Sequence, residues 1–190
     1  MKTTPTKTAR TPRLDAIALL TQDHKAVQKM FKEYDKLIQA DGSDEEKSQL
    51  VTRACQELTV HAQIEEEIFY PAVRDGIEDQ DLLDEAEVEH ATAKELIAQL
   101  ESMEPGDDLY DARFTVLGEY INHHVKEEQS EIFPKAKKAK LDLKALGEEM
   151  SMRKQVLHAE LNLDDSVESD RETDSPPHTV RVARQLRRSR

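Results

Sequence analysis

The sequence predicts an all-α protein: an antiparallel up-down-up-down bundle of four helices with a short fifth helix on its C-terminal side. Three observations carry that expectation. The 190-residue chain is rich in Ala, Leu, Glu, Lys and Gln, with five glycines and no Trp, a composition that favours helices over strands. Four segments repeat apolar residues at steps of three and four, which keeps one stripe of a helix facing a partner. The breaks between them are short and carry turn residues, so neighbouring helices run antiparallel.

In the first segment the stripe runs Ile17, Leu20, His24, Val27, Phe31, Tyr34, Ile38, and Asp41-Gly42-Ser43 ends it. Ser43 and Glu46, three residues apart, have the spacing of a capping box that opens the second helix. Its stripe is Val51, Ala54, Leu58, His61, Glu65, Ile68, bounded by Pro71 and Gly76. The third stripe is Leu83, Ala86, His90, Ala93, Ile97, Leu100, closed by Pro105-Gly106. The fourth is Phe114, Leu117, Ile121, His124, Glu128, Ile132, limited by Pro134 because proline removes a helix hydrogen bond. An amphipathic stretch over about 142–157 supplies the fifth helix.

Length and composition allow one sizeable core with polar tails. The net charge of −13 is uneven: residues 1–13 carry four basic groups and no acid, residues 179–190 five arginines and no acid, so the segment between them carries −22. So acidic a body argues against nucleic-acid binding as the main role. We read residues 1–13 as a basic disordered tail, 14–157 as the bundle, and 158–190 as a disordered C-terminal tail with an acidic run and Pro176-Pro177. The single cysteine, Cys55, cannot form an internal disulfide and reads as a small buried helix residue. No secretory signal and no long apolar span is present, so the expected location is cytoplasmic, without a membrane role.

Each stripe is interrupted near its middle by one or two polar residues. The second and fourth helices align without a gap: with His61 set on His124, Glu65 falls on Glu128, Phe69 on Ile132, Tyr70 on Phe133 and Pro71 on Pro134. The first and third correspond as well, since Asp23-His24 and Glu89-His90 each put an acid before a stripe histidine. Each H-x-x-x-E pair projects from one helical face about a turn apart. Buried unpaired carboxylates are costly, and two of them beside four core-facing histidines call for a compensating charge. A dinuclear metal centre supplies it, with each Glu bridging the ions. Taken alone, His24 or His90 reads as a satisfied core histidine and one H-x-x-x-E as a surface pair; the duplicated order of all six outweighs those readings. His123, Glu127, Glu66 and Glu67 sit a step off the stripes as solvent-facing or outer groups, with Glu127 the substitute should Glu128 be out of register. Tyr34 and Tyr70 read as core or rim residues within possible reach of the centre, and His158 and His178 receive no role.

These residues resemble the hemerythrin-like, or HHE, cation-binding domains, whose pattern is H…HxxxE…H…HxxxE. The resemblance covers about 14–157, including the FYP and IFP ends of the repeat helices. It implies that His24, His61, Glu65, His90, His124 and Glu128 bind two iron ions as a non-heme, carboxylate-bridged centre. The oxygen-carrying hemerythrins have a second histidine four residues after that of the third helix, and usually an aspartate as second carboxylate. Here those positions are Lys94 and Glu128, which implies a more open centre than simple oxygen carriage needs.

Imidazole and carboxylate donors suit iron, zinc or manganese better than magnesium or calcium, and the resemblance favours iron. The leading expectation is a di-iron protein that binds or senses oxygen, peroxide or nitric oxide. The alternatives are a di-iron enzyme that consumes peroxide or nitric oxide, and a metal-free interaction module.

Overall fold

The first helix begins where Asp15 accepts a hydrogen bond from the Ala18 amide at 2.8 Å, satisfying one of the free N–H groups of a helix start. In the computed structural model, which describes residues 14–163, α1 spans Ala16–Gln39. The expected capping box is present: Glu46 N–H donates to Ser43 Oγ at 3.3 Å and Ser43 N–H to Glu46 Oε2 at 3.1 Å, opening α2 (Asp44–Ile64). The wide π turn Glu65–Phe69 then leads into α3 (Tyr70–Gly76). After α4 (Asp81–Glu101), α5 (Tyr110–Glu127) repeats that pattern, with a π turn at Glu128–Ile132 and α6 (Phe133–Lys138). Last comes α7 (Leu143–Glu160), capped by Asp142 through the Ala145 amide at 3.0 Å.

Helices α1, α2, α4 and α5, with the continuations of α2 and α5, form the bundle, and α7 lies against α1, α2 and the first π turn. Most stripe residues are buried as expected; Ile38, at the frayed end of α1, is exposed and Ile68 is half-buried. Val60 and Ile64 lie outside the expected stripe yet are fully buried, because α2 is covered a second time by α7 through Met150 and Leu157. Gly147 permits that docking: a Cβ there would fall 2.5 Å from the Leu14 carbonyl oxygen and 2.6 Å from the Ala16 nitrogen.

Pro71 and Pro134 do not end their helices. Both sit at the second position after a π turn, where the Tyr70 amide reaches back to the Glu65 carbonyl and the Phe133 amide to the Glu128 carbonyl. The extra residue in the turn absorbs the crowding that a proline ring imposes on the preceding turn. It also buries two successive residues on each helix, Phe69 with Tyr70 and Ile132 with Phe133.

The core divides into two apolar clusters. One contains Leu20, Phe69, Leu83, Phe133 and Met150, the other Val27, Phe31, Tyr34, Phe114 and Ile121. The polar interruptions of the stripes lie between them. Of the segments read above as tails, residues 1–13 and 164–190 lie outside the described residues, whereas 158–160, expected in the C-terminal tail, continue α7. No helix among the described residues is long and apolar enough to cross a membrane.

Candidate metal centre

All six residues singled out on the stripes are buried, and Glu65 and Glu128 are completely so. They converge at mid-bundle with the Nε2 atoms of the histidines turned inward. His24 Nε2 lies 3.0 Å from His61 Nε2 and 3.1 Å from Glu128 Oε2. His61 Nε2 is 3.2 Å from Glu65 Oε1, and His90 Nε2 is 3.4 Å from Glu65 Oε2 and 3.2 Å from His124 Nε2.

These atoms form two groups, each compact enough to surround one cation: His24, His61, Glu65 and Glu128, and then Glu65, His90 and His124. Glu65 belongs to both. The sequence leads one to expect two equivalent bridging carboxylates, whereas the geometry brings Glu65 alone between the groups and sets Glu128 with the first. The π turns begin at these two glutamates, so the widened backbone sits where each carboxylate enters the core.

The outward Nδ1 atoms are held too. Glu66 Oε1 lies 2.9 Å from His90 Nδ1 and Glu89 Oε2 2.7 Å from His124 Nδ1, both hydrogen bonds, whereas Asp23 Oδ2 approaches His61 Nδ1 to 3.5 Å without a hydrogen bond and the Gln129 amide nitrogen stands 3.1 Å from His24 Nδ1. An acceptor on Nδ1 fixes the ring and keeps the proton there, leaving the Nε2 lone pair free to bind a cation. His24 is the exception: Gln129 turns its amide nitrogen, a donor, to Nδ1, and the amide would have to flip to present an acceptor there. Sequence reasoning found Asp23 and Glu89 as the acids preceding stripe histidines but gave them no role, and it missed Gln129.

Lys94, which stands where a fifth histidine would be, turns outward to Glu66, with its Nζ 2.7 and 2.6 Å from the two carboxylate oxygens. Glu128, not Glu127, is the inward carboxylate; Glu127 faces solvent beside His123. Tyr70 reaches the centre, its hydroxyl 3.4 Å from His90 Nε2, while the Tyr34 hydroxyl donates to Asp111 at 2.7 Å, away from the centre. Glu67 pairs with Arg153 on the surface. His158, to which no role was given, is buried with Nε2 3.1 Å from Glu57 Oε2. Cys55 is buried as expected, and burial pushes its thiol up to about 12.

The electrostatics follow from burial. Burial and the neighbouring His61 lower the pKa of His24 to about 3. Burial opposes charge on His61 as well, but the carboxylates of Glu65 and Asp23 outweigh it and raise that pKa to about 10. Glu65 is driven well below the usual carboxylate range, since His61 and His90 overcome its desolvation. Glu128 goes the other way, raised by burial and then by the Glu65 charge. Of the two glutamates, Glu128 is the one that takes up a proton more readily.

Even so, both oxygens of Glu65 and of Glu128 lack a hydrogen-bond partner. Burying a carboxyl unsatisfied is unfavourable, and two of them side by side more so. Cations bound between these oxygens and the imidazole Nε2 atoms would satisfy every donor at once, and the mixed nitrogen and oxygen set fits first-row divalent metals. Beside the histidines, toward Val27, Leu58 and Ile121, lies a cavity of about 20 Å³, room for a body the size of one water molecule.

The sequence matches the family described as Hemerythrin HHE cation binding domain over residues 15–136, which includes all six residues. It is 27% identical over 118 residues to a Nostoc protein named DNA nickase; the match takes in 60% of this chain and 31% of that protein. The chain thus spans less than a third of the length of that relative. Among solved structures it is similar to a hemerythrin HHE cation-binding domain-containing protein from Mycobacterium kansasii. The two share a TM-score of 0.65 and 20% identity, over 77% of this chain and 89% of the other, a likeness of fold.

Proposed function

The chain belongs to the hemerythrin HHE cation-binding family, and from that premise we propose that residues 14–157 form a cytoplasmic protein whose non-heme di-iron centre binds or senses oxygen, peroxide or nitric oxide. The observation that carries this reading is the pair of fully buried glutamates whose four oxygens have no partner, ringed by inward imidazole nitrogens. In it, His24, His61, Glu65, His90, His124 and Glu128 are the ligands. Glu65, which belongs to both groups, would be shared between two ions, Glu128 would serve the group of His24 and His61, and the other group, with Glu65, His90 and His124, has fewer protein donors.

When bound, two adjacent redox-active ions supply electrons and open coordination positions for a small ligand. The chain's own residues do the rest. Asp23, Glu66 and Glu89 hold the imidazoles in place through Nδ1. The two apolar clusters keep bulk water from the centre, and the adjoining cavity admits a body no larger than a diatomic or peroxide. Tyr70, whose pKa burial raises well above its ordinary value, keeps its proton and points a hydroxyl at the more open group.

That hydroxyl supports a second reading, an enzyme consuming peroxide or nitric oxide, because a proton donor sits beside the open position. Steady turnover of peroxide that survives His124→Ala would exclude it. The nickase activity named for the Nostoc relative is not part of this proposal: the shared segment is 31% of that protein and this chain's body is strongly acidic.

The test is metal analysis after anaerobic loading, followed by an optical titration with oxygen, peroxide and nitric oxide. We expect about two irons per chain and a new visible band on ligand addition. Less than one iron per chain would overturn the reading.

A further inference from the structure

We propose that Glu89, His123 and Glu127 form an additional, solvent-exposed divalent-cation site that passes metal inward to the buried centre. Three donor atoms from these side chains lie within 4.8 Å of one another. His123 Nε2 is 3.3 Å from Glu127 Oε1 and 3.8 Å from Glu89 Oε1. His123 and Glu127 repeat the H-x-x-x-E spacing of His124 and Glu128 one residue earlier, on the outer face of α5. A nitrogen and two carboxylates are the donor mix of a site for zinc, manganese or ferrous iron.

The internal duplication makes this more than a cluster of surface charges. Three carboxylates face a core histidine Nδ1, Glu66 and Glu89 by hydrogen bonds and Asp23 by a 3.5 Å ion-pair approach, and two of the three are also held by an ammonium group. Asp23 takes Lys154 Nζ at 2.5 Å, and Glu66 takes Lys94 Nζ at 2.6 Å. Glu89 occupies in the second half the place Asp23 occupies in the first, since each precedes a stripe histidine. Its recorded ion-pair partners among the described residues are imidazoles, His124 at 2.7 Å and His123 at 3.8 Å. Where the duplicate acid has a lysine, Glu89 faces His123 and a second carboxylate, so the half without a built-in cation is the half with a ready-made cage for one.

A second observation gives the site a direction. A narrow recess of about 10 Å³ is lined by Glu85, Glu89 and Glu127 together with His124 and Glu128. Glu128 is completely buried, and neither of its oxygens has a hydrogen-bond partner, Oε2 lying 3.1 Å from His24 Nε2. The recess thus runs from two of the three exposed donors, Glu89 and Glu127, to the buried Glu128, and Glu89 stands in both places, one oxygen toward His123 and the other on His124. Its volume holds at most one water-sized body, so passage requires the Glu89 or Glu127 side chain to swing. The exposed site needs no buried metal; the inward step rests on the di-iron reading.

The experiment separates the two. In Glu65→Gln/Glu128→Gln protein, whose buried centre is disabled, added Mn²⁺ should broaden the ring resonances of His123. In His123→Ala/Glu127→Gln protein, anaerobic ferrous uptake followed by stopped flow should slow by about ten-fold or more, the scale of on-rate gain an anionic cleft gives a cation, while the final iron content matches that of the wild type. Absence of broadening at His123, or uptake at the wild-type rate, would overturn the proposal. Broadening at His123 in a wild-type protein that never takes up buried iron would refute the di-iron reading and uphold the exposed site.

Discussion

Replacing Glu128 with leucine should stabilise the chelator-treated protein and destabilise it relative to wild type once metal is added. Glu128 places a carboxyl with no hydrogen-bond partner on either oxygen inside an apolar bundle. Removing such a group recovers roughly 1–3 kcal/mol of desolvation cost. Against this stand a shape mismatch of about 1 kcal/mol and loss of the 3.1 Å approach to His24, a residue that burial keeps neutral at ordinary pH. The balance is a gain of at most about 2 kcal/mol, which for a body of this size raises Tm by up to about 8 °C. Metal reverses the order. Ferrous iron at about one hundred times its dissociation constant stabilises the native protein by about 2.7 kcal/mol, or roughly 5–11 °C. The variant should forgo most of that. Anaerobic thermal melts by circular dichroism, with EDTA and then with ferrous iron, read both effects. A Glu128→Leu protein that melts below wild type in EDTA would refute the reasoning, because the carboxyl would then be satisfied within the protein itself.

Three further outcomes follow from the same geometry. At pH 7 the metal-free centre carries a proton on His61, whose pKa is raised to about 10, and the pKa of Glu128 is raised by burial and the Glu65 charge. The His61 proton must leave before Nε2 binds a cation, so loading should release at least about one proton and affinity should rise with pH through neutrality; zinc calorimetry in buffers of different ionisation enthalpy measures this, and a release near zero would contradict it. Lys154→Met removes the ammonium that holds Asp23 against His61, and should weaken metal binding by about ten-fold while leaving the helical content unchanged; a wild-type zinc isotherm would show that α7 does not act on the centre. Gly147→Ala drives a methyl against the backbone of Leu14 and Ala16, and should cost about 1–3 kcal/mol in urea unfolding, unless α7 docks less closely than these distances state.

The four bundle helices and the six convergent residues were legible because each depends on a pattern local to one helix. A stripe of period 3.6 declares its inward face, and a polar residue interrupting it declares a buried polar group. Two features were not legible in this way. The π turns hinge on single hydrogen bonds five residues apart, and no spacing in the stripe anticipates them. The signal was present all the same: the repeat sets Phe69 on Ile132 and Tyr70 on Phe133, which asks two successive residues to be buried on each helix. A regular α-helix does not do that comfortably, and the prolines just beyond mark where the ladder changes. The other feature is tertiary. Gln129, Lys94 and Lys154 take their roles from residues 105, 28 and 131 positions away in the chain, and nothing local to their own helices distinguishes them from solvated polar residues.

The same division explains why the centre can be costly without unfolding the bundle. Its unsatisfied groups occupy one layer, flanked by an apolar cluster about Leu20, Phe69 and Phe133 and another about Phe31, Tyr34 and Phe114. Each cluster is built from residues of more than one helix, so the helices are pinned on both sides of the layer and cannot relax to hydrate Glu65 and Glu128. The widened turns point the same way, since they begin at the two glutamates and feed Phe69 and Phe133 directly into the first cluster. Glu128 is therefore held where burial and the neighbouring Glu65 charge resist its ionisation, while His61 and His90 favour the charge of Glu65. Stored strain of this kind is relieved by cation binding, which is why metal should matter more to the stability of this protein than any single apolar contact in it.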